Sequence, residues 1–537
     1  MNVEPVSDWK ASGSGRPSLA GGSRPRRRFA HARLAAAVLA LLLAACGSPP
    51  ATGTPPVLSA IADQGTPMNQ VLDVRFTVAD ENLPGVSLSA RSSVQSVVAD
   101  SGLSLSGSGA ARELRITPVA GALGSTTITV SATNSAGRSA SASFELVVSG
   151  DTPKKLASDA ASADRFGNSV AISGDYAIIG SPNDNDDEGP NIRTGAAYIF
   201  HRLGDIWTQQ AKLKASNSSS HDQFGTVVAI SGDYAIVTAP AYAVWPDIQG
   251  AAYVFKRDGV TWTEQAILTV TPGDFSTGYG YAVAISGEWA VVGAWQVDSA
   301  GPSAGAAYVF QLTGDTWTEA AVLTASDGAE NDSFGYSVAI HENSIVVGAP
   351  FDPYGLTEGT NPGAAYVFHY AEGAWSEQAK LTASDGDAFD NFGSAVAISG
   401  DHAIVGSPDD DDGADRSGSA YVFERTGSVW AQRAKLVASD AERWDRFGTA
   451  IGLWGDTAIV GSILDDDFGE NSGSVYTYRL VGDTWSERMK LEAPGRTETD
   501  MFGYSLAINQ EYFLVGAPGD DEVPFDSGAS YFLRRIQ

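Results

Sequence analysis

The sequence predicts an all-β fold, a seven-bladed β-propeller preceded by a small β-sandwich, and three observations support that. Short runs of alternating apolar and polar residues fill most of the chain, bounded by Gly, Pro, Asn and Asp. A Phe-Gly pair, once Tyr-Gly, returns seven times at intervals of 55 or 58 residues. The composition agrees: 43% hydrophobic and 18% charged residues, with 59 glycines among 537 residues, describe a turn-rich globular protein, not a disordered one.

The N-terminus reads as an export segment. Arg24 to Arg28 are basic, Leu34 to Leu43 are apolar, and the run ends LAAC with Cys46, the single cysteine of the chain. A basic stretch, a short apolar core and small residues before a cleavage point make a secretory signal, too short to span a bilayer. LAAC resembles the lipobox of bacterial lipoproteins, which implies removal of residues 1–45 and acylation of Cys46. Gly47 follows in place of an aspartate, so the resemblance points to the outer membrane or cell surface. With no second cysteine there is no structural disulfide. Residues 46–56, rich in Pro, Gly and Thr, read as a tether.

Residues 57–149 carry short alternating runs, among them VRFTVAD, ELRITPV, TTITVSAT and ASFELVV. Strands at this spacing argue for an antiparallel sandwich. The segment resembles immunoglobulin-like and cadherin-like modules of bacterial surface proteins, without the cysteine pair of antibody domains, and a spacer role is expected.

Residues 154–537 hold the repeat. Its marks are Phe166, Phe224, Tyr279, Phe334, Phe392, Phe447 and Phe502, each followed by Gly. Each unit reads approximately FGxxVAISGDxAIVGAP, a variable loop, GAAYVF, a GD turn, then WxEQAKLxAS, which is four strand-like runs. One such sheet cannot bury both faces alone, so seven packed around an axis are expected. The Trp-bearing fourth run occurs only six times, at Trp207, Trp262, Trp317, Trp375, Trp430 and Trp485. The missing strand is expected from Lys154 to Ser158, whose KKLAS matches Ala211 to Ser216, so that the N-terminal segment closes the last blade. The alternative, an open superhelix, would leave two unpaired edges.

FG, GAP and YVF together resemble FG-GAP repeats, the units of the integrin α-subunit propeller. The resemblance implies a propeller used for binding, usually in adhesion. Integrin-type calcium loops lie between the first and second strands. Here that connection is SGDY at Ser173 to Tyr176 or its equivalents, too short to wrap a cation with six or seven oxygens. Carboxylates instead follow GAP as i, i+2 pairs: Asp184 and Asp186, Asp410 and Asp412, Asp465 and Asp467, Asp520 and Glu522. Such pairs can face one hard cation, and weak calcium binding is the expectation, against the alternative of a solvated turn. A second acidic position, two residues before most FG pairs, reads as a turn staple. Units 2 to 4 place aromatic residues in the corresponding loops: Tyr242, Trp245, Trp295, Phe351 and Tyr354 are the candidate ligand-binding residues, against the alternative that they fold back onto the blades.

A formal charge of -30 disfavours nucleic acid and anionic lipid surfaces as partners. No enzyme signature stands out, because the histidines share no register that would build a metal cage or a Ser-His-Asp arrangement. The expected role is a non-enzymatic, monomeric envelope lipoprotein, held to the membrane through its lipid alone, that binds a protein or polysaccharide in adhesion. A polysaccharide-active hydrolase or lyase on a propeller scaffold, or a purely structural envelope protein, are the alternatives.

Overall fold

The computed structural model describes residues 54–535 apart from 62, 68–70, 121, 123, 150–152, 186–192, 241–242, 245–246, 249, 271–277, 352–361, 468, 496 and 522–525. Cys46, Asp186, Glu522, Tyr242, Trp245 and Tyr354 lie outside the described residues. Apart from two single-turn 3-10 segments, the described regular structure is all strand.

Two four-stranded sheets form the first module. One orders Val57–Leu58, Leu72–Ala79, Ala111–Ile116 and Leu103–Ser106, and the other Gln64–Pro67, Ser139–Ser149, Gly124–Thr133 and Ser87–Ser92. Alternation supplies the shared core: Val74, Phe76 and Val78 from the first sheet meet Ile128, Val130, Phe144 and Leu146 from the second, all buried.

Seven four-stranded antiparallel sheets follow. Blade 6 shows the pattern, with Phe447–Trp454, Thr457–Ser462, Ser474–Val481 and Thr484–Leu491 paired in that order. The first strand of each blade packs beside the first strand of the next, and that of blade 1 packs against that of blade 7, so the first strands encircle an axis. Closure uses Lys154–Lys155, which pairs antiparallel with Ala529–Arg534. Its register is Tyr531 opposite Lys154, equivalent to Tyr198 opposite Lys212 in blade 1. Lys154 therefore stands where Lys212 does, and Lys155 where Leu213 does.

The recurring motif has a physical cause in the contact between blades. The aromatic residue of each FG pair is fully buried. The glycine after it adopts positive φ, 96° at Gly225, where a Cβ would meet the Ala196 carbonyl of the preceding blade at 2.1 Å. The glycine of the preceding blade's GAP-type motif is equally constrained, because a Cβ on Gly180 would lie 2.0 Å from the Gly225 oxygen. FG of one blade thus presses backbone against the GAP motif of its neighbour. The same contact joins Gly167 to Gly516 across the ring closure.

Candidate functional site

The carboxylates expected to hold a cation do converge on one, and it is a lysine ammonium. Asp184, Asp410, Asp465 and Asp520 are buried, each at 3% exposure or less. Asp410 accepts the Tyr421 hydroxyl at 2.6 Å, and Lys435 Nζ lies 2.9 Å from it, 2.5 Å from Asp412 and 3.0 Å from Asp385. Blade 6 repeats this, with Lys490 at 2.7 Å from Asp465, 2.7 Å from Asp467 and 2.9 Å from Asp440, and Tyr476 donating to Asp465. Lys212 pairs with Asp184 in blade 1, and Lys154 of the closing strand pairs with Asp520 in blade 7. Burial alone would lower the Lys435 and Lys490 pKa values, but the surrounding carboxylates hold both above the usual lysine range.

At the described positions the expected calcium ligands are thus already engaged within the protein. Calcium needs six or more oxygens, whereas each buried carboxylate here already serves a tyrosine hydroxyl and a fixed positive charge. The residues present do not fit the ion. The sequence holds a signal for this arrangement. Units 2 and 3, which lack the aspartate, carry Ile267 and Val322 in the lysine's position, so lysine and aspartate are present or lost together.

The aspartate before FG is a turn staple. Asp164, Asp222, Asp332, Asp390, Asp445 and Asp500 each accept a backbone N–H three residues earlier, at 2.5 to 2.6 Å. Burial pushes the Asp164 carboxyl up to about 7 and those of Asp390 and Asp445 up to about 6. The backbone N–H opposes that shift, and the neighbouring Asp184, Asp410 or Asp465 adds to it.

The face carrying these loops also gathers aromatic rings. Of the expected ligand-binding aromatics, Trp295 and Phe351 are described; Tyr336 bridges them and Tyr281 packs on Trp295, two tyrosines that were not among the expected residues. Trp295 lies 6.0 Å from Tyr281 and 6.2 Å from Tyr336, and Tyr336 lies 5.3 Å from Phe351, measured between ring centroids. Gly278 leaves room for the indole, since a Cβ there would touch Nε1 at 2.6 Å. Tyr281 and Tyr336 occupy the position directly after FG or YG, which holds Tyr504 in unit 7 and Asn168, Thr226, Ser394 and Thr449 elsewhere. Burial raises the Tyr336 pKa, with Tyr504, Tyr281 and Asp409 adding to the shift and Arg446 opposing it. Arg446 pairs with Asp409 at 2.8 Å. Groups from blades 3 to 7 can act on one hydroxyl only where the first strands converge, so this is the mouth of the axis.

Beside the mouth, the loops of blades 5 and 6 expose Phe389 at 66% and Trp444 at 40%. The guanidinium carbons of Arg416 and Arg443 lie 4.5 and 5.3 Å from the Trp444 ring centroid. No described group of His, Cys, Asp and Glu forms a metal cluster on this face or elsewhere.

Comparison with known proteins is consistent with the repeat pattern. The model of the FG-GAP repeat matches seven stretches, residues 151–200, 207–255, 262–310, 317–368, 375–423, 430–478 and 485–533. Among solved structures, the β-propeller domain of the Trilobed protease from Pyrococcus furiosus is similar over 68% of this chain and 92% of its own, at 8% identity and TM-score 0.38. The titin M3 domain is similar over 17% of this chain and 95% of its own, at 22% identity and TM-score 0.15. No curated protein matches the chain.

Proposed function

The chain belongs to the FG-GAP repeat family, and from that premise we propose that it is a non-enzymatic envelope lipoprotein, anchored through Cys46, whose propeller binds a protein in adhesion. The observation that carries this reading is the convergence of Tyr281, Trp295, Tyr336 and Tyr504 at the axial mouth. Aromatic residues and arginine are enriched at the centres of protein interfaces, because they bury large areas and keep a polar handle. Phe389 and the Arg416–Trp444–Arg443 stack extend that chemistry outward on the same face. An acidic molecular surface around such a patch favours a partner of opposite charge at the rim.

The test is an array of extracellular-matrix proteins and glycans probed with the purified chain and with the Tyr281→Ala/Tyr336→Ala double variant. The expected result is a protein ligand whose binding falls at least about tenfold in the variant, the scale of losing one interface hot spot. Binding of glycans only, or a variant that binds as well as the parent, would overturn the reading. So would turnover of a polysaccharide that is lost when one carboxylate is changed.

A further inference from the structure

Six of the seven boundaries between neighbouring blades share one filling, a tryptophan from the second position of a fourth strand. Trp207 of blade 1 lies 5.5 Å from Tyr512 and 4.5 Å from Phe532 of blade 7. Trp262, Trp317, Trp375 and Trp485 likewise reach Tyr176, Tyr234, Trp289 and His402 of the preceding blade, and Trp430 donates Nε1 to Gln378 at 2.7 Å. In each of these blades the tryptophan pairs across the sheet with the residue equivalent to Arg202. In blade 7 that residue is Arg535. The closing strand is only Lys154–Lys155, and the sequence holds no tryptophan between Trp9 and Trp207. The slot between blades 6 and 7 therefore has no tryptophan to fill it.

A cavity of about 320 Å³ occupies that boundary, with three arginines and two aspartates, Asp63 and Asp456, in its lining. Arg479, Arg488 and Arg535 line it together with Trp454, Thr457 and Asp63. Arg202, Arg257 and Arg425, the counterparts of Arg535, each pair with the aspartate of their own hairpin turn. The equivalent acid in blade 7, Glu511, pairs instead with Arg202 at 2.8 Å. Arg535 is left donating to the Asn509 carbonyl and the Thr457 hydroxyl, both at 2.6 Å. Among the described residues neither Arg535 nor Arg488 has a carboxylate within ion-pair distance, while Arg479 has Asp456 at 3.3 Å. Burial holds the Arg535 pKa below its ordinary value, and Arg479 pushes the same way against Asp456. Trp454 is 46% exposed at a hairpin position where Ser173, Ser231, Ser286 and Ser399 each accept a backbone N–H from the next blade.

We propose that this cavity binds a carboxylated sugar, a hexuronate unit of an acidic polysaccharide. A guanidinium presents a planar fork matched to a carboxylate, and two are available here in a chain with 34 basic and 64 acidic residues. Trp454 offers a flat face on which a sugar ring can stack. Thr457, Thr477 and Asp63 supply the hydroxyl and carboxylate groups that a polyhydroxylated ring pairs with, and the volume lies in the range of small-ligand sites. An extended acidic peptide is disfavoured, because Pro153, Lys154 and Lys155 already bond to Ser530, Tyr531 and Phe532 on the blade edge on which it would pair. The site lies at the opposite end of the first strands from the axial mouth, and it stands independently of the adhesion reading.

Calorimetric titration of the purified chain with a galacturonate trisaccharide tests this, with a neutral galactose trisaccharide, triglutamate and inorganic phosphate as comparators. The expected result is saturable binding of the galacturonate alone. Arg488→Gln and Trp454→Ser, both at exposed positions, should each weaken it at least about tenfold with a melting temperature within about 2 °C of the parent. Arg535→Gln, at a half-buried position, should weaken it as well. Equal binding of the neutral sugar, unchanged affinity in Arg488→Gln and Trp454→Ser, or equal binding of triglutamate or phosphate would each overturn the proposal.

Discussion

Lys435 settles, at the scale of one residue, what the DDDD run at Asp409 to Asp412 is for. Its ammonium pairs with Asp410, Asp412 and Asp385, so a side chain occupies the place that the loop spacing suggested for calcium. Changing Lys435 to Ala leaves a buried carboxylate uncompensated, and the expected loss is about 3–5 kcal/mol. The same change frees three carboxylates toward one point. Calcium should therefore stabilise Lys435→Ala by about 1–2 kcal/mol at ten times its dissociation constant, while leaving the parent no more stable than magnesium does. Thermal melts of both proteins with each ion measure this. A parent stabilised selectively by calcium would mean that the lysine does not hold the site.

At the scale of the element, the closing strand is two residues long yet ties the chain's N-terminal side to its last blade. Lys154 pairs in the sheet opposite Tyr531 and places its ammonium 2.9 Å from buried Asp520. Deleting Lys154 to Ser158 removes both the edge pairing and the charge partner. The expected cost is several kcal/mol, of which the broken buried ion pair alone accounts for about 3–5. Differential scanning calorimetry should show one cooperative transition at lower temperature, and light scattering should show association through the exposed edge. An unchanged transition would refute this closure. The need for a strand from this segment was legible because the Trp-bearing run is one short of the FG count. Its register was legible as well, because aligning the shared Ala-Ser of KKLAS and AKLKAS places Lys154 over Lys212, as the hydrogen bonding does.

At the scale of the whole molecule, the staple aspartates and the net charge act on stability in the same direction. The folded pKa values of Asp164, Asp390 and Asp445, about 7, 6 and 6, lie above the ordinary carboxylate value of 3.8. Between these limits the folded chain binds more protons than the unfolded one, so stability rises as pH falls from about 7 toward 4. Asp385 and Asp440, held below their ordinary value, work the other way and withdraw stability only at lower pH. Melting temperature should therefore climb from pH 8 to about pH 5 and then collapse. Asp445→Asn keeps an uncharged group at the staple, so it should flatten the rise, whereas general relief of a charge of -30 would leave the slope unchanged. A melting temperature that falls steadily from pH 8 to 5 would exclude these raised values.

Seven blades and their four strands were legible in the sequence alone, because each unit is a local pattern of period two repeated at fixed intervals; the backbone contact at Gly225 and Gly180 that makes the Phe-Gly mark recur came from the structure. The pairing of lysine with aspartate was also present there, in the units that lose both together. Only the tertiary structure decided what lies at the ring's centre and at its closure. Tyr281, Tyr336 and Tyr504 are far apart in the chain, and nothing in their neighbourhoods marks them beyond one position after FG or YG; the axis brings them to one hydroxyl. The cavity beside Arg535 exists because a two-residue strand stands where six blades have eight. That vacancy is a property of the closed ring, where blade 7 must meet blade 6 without the tryptophan that every other boundary receives.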